Sequence, residues 1–360
     1  MGGTKTFNTV KFKTAGSWTV TSTDTDGASP TYTLSSHPAI TVNVAPAIKL
    51  QVLVPGETAS AGTSTLGTQT YNVTFNTASN FTVTAIHVDD TGISYESNTS
   101  PNITTNTNTA VKLQLLMPGE TAAPGNTAQG GKTGSVIAQT AGTQFTATVN
   151  CTDDYWNKVV GANPQVAITS SDSNAVLPAD AYLTTGTGTF NITFKTSGLA
   201  TVTASDVDGD SVTYTANTSP STAINSGSAV KLQLLVPGET AAAGTSTGKV
   251  GKVTDRVAGT SFNVTVNCVD ADWNRVTNGA NPAVTITTSD SNAILPTPNQ
   301  SLVTGTKTFA VTFRTWTGTG WTITASDTDV DSPTYTASTS PSMNVVPNTA
   351  VKLQLLLPGE

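Results

Sequence analysis

The sequence predicts an all-β chain of small sandwich domains strung in a line, and three observations carry that prediction. One phrase recurs at domain-sized intervals, apolar residues alternate at period two in short runs, and clusters of Gly, Pro, Asn and Asp separate those runs. The composition agrees. Only 11% of the 360 residues are charged and 6% are aromatic, while Thr, Ser, Asn and Gly are abundant. A helical bundle would need far more Ala, Glu, Lys and Arg. The formal net charge of −7, with no Lys/Arg cluster, excludes a nucleic-acid partner. No run of 18 apolar residues exists, so no membrane span is expected. The opening MGGTKTF has neither the basic nor the apolar region of a secretory signal, so such a signal is expected upstream of this segment or already removed.

The recurring phrase is AIKLQVLVPGE at 47–57, AVKLQLLMPGE at 110–120, AVKLQLLVPGE at 229–239 and AVKLQLLLPGE at 350–360. It divides the chain into five parts. Residues 1–46 hold only the second half of a repeat, and 47–109 are a truncated repeat that passes from the opening phrase to GTQTYNVTF at 67. Residues 110–228 and 229–349 are complete repeats, and 350–360 are an opening strand of a next repeat or a donor strand. The complete repeats match closely, as in TVNCTDDYWN against TVNCVDADWN, which implies recent duplication.

Each element follows from alternation. In the opening phrase Val111, Leu113 and Leu115 share one face, with Lys112 and Gln114 on the other. This strand is expected at a sheet edge, where Lys112, Lys231 or Lys352 would discourage stray pairing. QFTATVNC turns Phe145, Ala147, Val149 and Cys151 inward, and its copy turns Phe262, Val264, Val266 and Cys268. Phe190, Ile192 and Phe194, then Val202 and Ala204, supply the later strands, matched by Phe309, Val311 and Phe313, then Trp321, Ile323 and Ala325. About seven such strands per repeat are what an immunoglobulin-like sandwich needs. The chain therefore reads as tandem immunoglobulin-like β-sandwich domains in a linear array.

The run FNVTVNCVDADWNRVTNGANPAVTITTSDSNAILP, with GTKTFAVTFRT and WTITASDTD after it, resembles the tandem bacterial immunoglobulin-like repeats of giant surface proteins, including invasin-like and intimin-like stalks. The resemblance covers almost the whole chain and implies an extracellular or cell-surface spacer, stalk or filament.

Candidate sites are few. Cys151 and Cys268 sit at equivalent inward positions of different repeats and are expected as free buried thiols. Asp206, Asp208 and Asp210 in DVDGDS, and Asp327, Asp329 and Asp331 in DTDVDS, are candidate calcium ligands. They fall in the loop of the last hairpin, expected at the pole facing the preceding domain, with Glu120 a further carboxylate. A solvated acidic turn is the competing reading, and no other cofactor is expected. GTSTG at 244–248 matches a nucleophile pattern but lies in a Gly/Thr-rich stretch, and the chain has only His37 and His87. No enzymatic activity is expected. Tyr155, Trp156 and Trp273 either close the sandwich end or offer a stacking platform for surface glycans. The sequence reading is thus an extracellular structural protein forming a stalk, fibre or filament, partnered by other copies of itself, in which 350–360 is donated to the incomplete unit 3–46. The alternative is an adhesin that binds a glycan or host receptor.

Overall fold

The computed structural model describes residues 5–7, 9–43, 45, 47, 49–59, 68–88, 92, 94–210, 212–329 and 333–355. The chain forms two compact units, Met1–Asn106 and Thr107–Glu360.

The second unit holds both complete repeats, and each is an immunoglobulin-like sandwich organised by its opening phrase. Lys112–Leu116 pairs antiparallel with Gln144–Thr152, placing Leu113 opposite Cys151 and Leu115 opposite Val149. Gln144–Thr152 pairs on its far side with Thr187–Thr193. The opposing sheet runs Ala181–Tyr182, Gln165–Ser170, Val202–Asp206, Asn217–Thr218. Gln139–Thr140 lies parallel to Thr222–Asn225, which pairs antiparallel with Gly198–Ala200. The second repeat uses Lys231–Leu235, Phe262–Val269 and Thr306–Val311 against Ala283–Thr288, Ile323–Asp327 and Ser338–Thr339. In both repeats the alternation read from the sequence faces inward. Leu113, Leu115, Val149, Ile192, Phe194 and Val202 are buried in one core, and Leu232, Leu234, Val266, Val311, Phe313 and Ile323 in the other.

Two expectations about the opening strand need correction. It is not an edge. Leu113 N–H donates to Thr215 O and Thr215 N–H to Val111 O, a parallel bridge to the last hairpin, and Leu115 N–H donates to Asn217 Oδ1. Both sides of the strand are therefore paired, and it stitches the two sheets together. Lys112 guards no edge, because its Nζ lies 3.9 Å from the Trp156 ring centroid and donates to Asp154 O. Nor does the Gln114 face meet solvent. Gln114 is fully buried beneath the excursion that follows PGE. Its Nε2 donates to Gly131 O at 2.8 Å, its Oε1 accepts from Asn150 Nδ2, and Asn150 Oδ1 accepts from Thr187 Oγ1. Gln233, Asn267 and Thr306 repeat the relay with Gly248 O. Every group in the relay has a partner, which is the condition for burying amides at no net loss.

PGE is the turn that launches this excursion. Gly119 has φ +93°, as the third position of a type II turn requires after Pro, and Glu120 N–H closes the turn on Met117 O. The Glu120 carboxylate then accepts from Met117 N–H and pairs with Lys132 at 3.3 Å, so it is engaged inside its own repeat.

In the first unit the second-half pieces form short ladders: Gly16–Trp18 with Ile40–Val42, Thr21–Ser22 with Ser35–Ser36, and Asn80–Phe81 with Ile103–Thr104. The truncated repeat keeps the opening-strand bonds, Leu50 N–H to Glu96 O and Val52 N–H to Asn98 Oδ1. Phe7, Val10, Tyr71 and Val73, whose equivalents in the complete repeats are buried, are exposed.

Cys151 and Cys268 are free and fully buried. Burial, then the nearby Asp206 or Asp327 charge, pushes each thiol up to about 12. Neither thiol should react with an aromatic disulfide reagent in the folded chain even at pH 9, and both should react on unfolding in denaturant. Rapid labelling of the native protein would contradict this packing.

Candidate functional site

The chemistry-bearing residues collect at the two poles of each sandwich. At the upper pole the Cys-bearing strand ends in a turn, Asp153–Asn157 or Asp270–Asn274. Asp270 is buried, and its Oδ1 accepts the N–H groups of Asp272 and Asn274, each at 2.9 Å. Both its carboxylate oxygens also accept from Asn274 Nδ2. This loop of amide donors forces the residue between them into the left-handed region, φ 67° at Trp273 and 66° at Trp156. There the indole stacks against Gly248 or Gly131, where an added Cβ would collide with the ring. Lys231 Nζ lies 3.5 Å from the Trp273 ring centroid. Burial draws that lysine below its ordinary pKa, with Asp270 and Asp272 opposing the shift. Both tryptophan rings are thus packed within their own repeat. Residues 244–248, the GTSTG match, form part of the covering loop and precede the strand Lys249–Gly251, not a helix.

At the lower pole Asp172 is buried and gathers the loop after the Phe-rich strand. Its Oδ2 accepts Lys195 N–H at 2.8 Å and Thr196 N–H at 3.0 Å, and its Oδ1 accepts Asn174 N–H. Asp290 does the same for Arg314, Thr315 and Asn292.

These poles meet between the two complete repeats. Asn274 Oδ1 accepts Ser197 N–H at 2.7 Å, and its Nδ2 donates to Lys195 O at 2.9 Å. Lys195 Nζ pairs with Asp272 Oδ1 at 2.9 Å. Asn174 Nδ2 reaches Ala243 O in the second repeat's excursion, and Asp270 Oδ2 holds the linker through Gly227 N–H. One turn therefore clasps the preceding domain and the segment that joins them. An open groove beside it is lined by Ser197, Asn225, Arg275, Asn278 and Tyr335.

The predicted calcium ligands lie in the loops of the last hairpins, and Pro333 and Tyr335 of one such loop line the junction groove. Asp206 accepts Tyr214 and Asp208 N–H, Asp208 accepts Gln165 and Asp210 N–H, and Asp210 lies beyond them on the exposed side. Asp327 likewise accepts Tyr335 and Asp329 N–H, and Asp329 accepts Ala283 N–H. Asp331 lies outside the described residues. The alternation of carboxylates is that of successive side-chain-capped turns. Among the described residues no group of three or more His, Cys, Asp or Glu side chains lies close enough together to hold a metal. No helix among them is long and apolar enough to cross a membrane.

The sequence reading missed Asn274, Asp172 and Asp290 as functional positions. The signals were present: an Asn four residues after the strand-ending Asp in both complete repeats, and an Asp in each SDSN segment.

No protein-family profile matches the chain, and no curated protein does. Among solved structures it is similar to the D0-D1 domain of intimin, at 18% identity and a TM-score of 0.23 over 58% of this chain and 94% of that one. Domains 1-6 of the surface layer protein SbsC match at 15% identity and 0.25, over 94% of this chain and 45% of that one. Bacteroides uniformis beta-glucuronidase 3 matches at 13% and 0.23, with 65% of this chain covering a quarter (25%) of the enzyme.

Asn274→Ala should leave Ser197 N–H and Lys195 O without their partner, a loss of about 1–3 kcal/mol at the junction. Small-angle scattering should then show a broader distribution of maximum dimension, while the secondary structure is retained. A second outcome concerns acid. Burial opposes ionisation of Asp172 and Asp290, but the backbone donors from Thr196 and Arg314 and their neighbours outweigh it and hold both carboxyls below the ordinary range. Their folded values lie below the unfolded value of about 3.9, so the stabilisation is present above that pH and lost as pH falls through the folded value. Melting temperature should drop steeply below about pH 4, and less steeply in Asp172→Asn/Asp290→Asn.

Proposed function

We propose that the chain is an extracellular structural spacer, a stalk or filament segment whose product is length. The observation that carries this reading is the junction in which Asn274 bonds the backbone of the preceding sandwich at Ser197 and Lys195 while Asp270 holds the linker at Gly227. Arrays with nearest-neighbour contacts only translate such a lock into extension, one repeat at a time. Close similarity of the two complete repeats fits a spacer better than a recognition tip, and the packed Trp156 and Trp273 rings leave little platform for stacking. This reading involves no catalytic step. Calcium at the Asp206–Asp210 and Asp327–Asp331 loops would add stiffness. A higher melting temperature in calcium than in chelator supports that addition, and identical melting removes it.

One feature favours the adhesin reading. Trp316 replaces Ser197 at the lower pole of the second complete repeat and is 60% exposed, a surface on which a sugar ring could stack. Binding on a glycan array that Trp316→Ala abolishes would establish it. For the spacer, electron microscopy of the isolated chain should show the two complete repeats as an end-to-end rod. Particles folded side by side would refute it.

A further inference from the structure

The groove at the junction of the complete repeats has one edge that the fold leaves free. The segment from Trp273 to Asn281 is one residue longer than its counterpart from Trp156 to Asn163, although both end alike: Asn163 Oδ1 accepts Gly186 N–H, and Asn281 Oδ1 accepts Gly305 N–H. The added length falls at Thr277, Asn278 and Gly279 and gives the chain its only Asn-Gly step. Val276 and Ala280, on either side, are buried, while the three residues between them are exposed. Among the described residues neither the Asn278 amide nor the Gly279 N–H has a hydrogen-bond partner. Gly279 has φ +80°, and a Cβ added there would meet nothing within 4 Å.

Other residues of this type are held. Asn157 and Asn274 are buried with their amides bonded to Asp153 and Asp270, and Asn150 and Asn267 belong to the buried relay. The two Asp-Gly steps, Asp26-Gly27 and Asp208-Gly209, have carboxylates that accept backbone amides. An ionised carboxylate is also a poorer electrophile than an amide.

We propose that Asn278 is a site of self-modification, converted by its own backbone to aspartate and isoaspartate. The Gly279 nitrogen gives its proton to solvent base and bonds to Asn278 Cγ, and the Cγ–Nδ2 bond breaks to release ammonia. Water then opens the resulting five-membered imide at either carbonyl. One opening leaves a side-chain carboxylate; the other routes the main chain through Cγ. Glycine hinders this attack least, because it has no side chain beside the nitrogen and its backbone turns freely. The place of the product gives it consequence. Asn278 and Gly279 line the groove with Ser197 and Asn225 of the preceding repeat, and Arg275 is the one charged side chain among the described lining residues. Arg275 has no ion-pair partner among the described residues. The conversion therefore adds an anion to a groove that holds an unpaired cation, a covalent change at the junction that accumulates with the age of the molecule. It does not depend on the spacer reading.

The test is peptide mapping by mass spectrometry of the full folded chain during incubation at pH 7 and pH 9, beside a synthetic peptide of residues 276–281. The 276–281 region should convert at least several-fold faster than any other asparagine, faster at pH 9 than at pH 7, and at a rate close to that of the free peptide. Intact protein should shift towards acidic elution, to the position of Asn278→Asp, with isoaspartate found at 278. Asn278→Gln, which would have to close a larger ring, should abolish the shift, and Gly279→Ala should slow it several-fold. Conversion led by another asparagine would overturn the proposal. So would a folded chain that stays unchanged at 278 while the free peptide converts, or an acidic shift that Asn278→Gln leaves intact.

Discussion

The two-sided pairing of the opening strand is the constraint on which the rest of each repeat depends. Its backbone bonds Gln144–Thr152 on one side and Thr215 on the other, so a single strand closes both sheets around the core. Occupying that position buries both of its faces. Leu113 and Leu115 enter the sandwich, and Gln114 on the opposite face must then be satisfied without water. The excursion after PGE meets that need with Gly131 O, and in covering Gln114 it brings glycine against Trp156. The excursion, the relay and the tryptophan turn are successive consequences of one strand being buried.

The poles extend the same logic to the array. A buried carboxylate has to be surrounded by donors, and Asp270 finds them in its own turn and in the linker. The turn so fixed presents Asn274 to the neighbouring domain with both its amide functions directed at backbone. Shape at the junction is therefore set by the fold of one repeat and needs little from the other beyond a free N–H and C=O. The Lys195–Asp272 pair adds little, since partly exposed ion pairs contribute about 0.2–1 kcal/mol.

Much of this was legible in the sequence because alternation at period two reports directly on burial. The inward sets around Phe145, Ile192 and Val202 came from that alone, as did the free buried cysteines. What alternation could not reveal was a second layer over the outer face of a strand. Alternation places Gln114 on the face opposite Leu113 and Leu115 and says nothing of what covers that face, and the excursion that covers it has no periodicity of its own. Lys112 misled for a related reason: a lysine beside leucines resembles an edge guard, while its cation–π partner lies 44 residues on, at Trp156. Asn274 recurs four residues after its Asp, yet that spacing does not mark a clasp, because an Asn in a turn is ordinary and only the placement of a neighbouring domain gives its amide two targets. The acidic loops were visible as a pattern, yet their bonds to Tyr214 and Tyr335 amides depend on the path of the chain eight residues later.

The clasp at Asn274 also decides how the array behaves in brine. Dissolved ions weaken attraction between exposed charges over distances of about 8 Å at physiological ionic strength and about 3 Å at 1 M. A junction built on surface ion pairs would slacken as salinity rose. Here the bonds run from a neutral amide to main-chain groups, anchored on a carboxylate that solvent ions hardly reach. Such a joint keeps its bonds from fresh water to seawater, and the spacing it sets between neighbouring repeats does not depend on the ions around it.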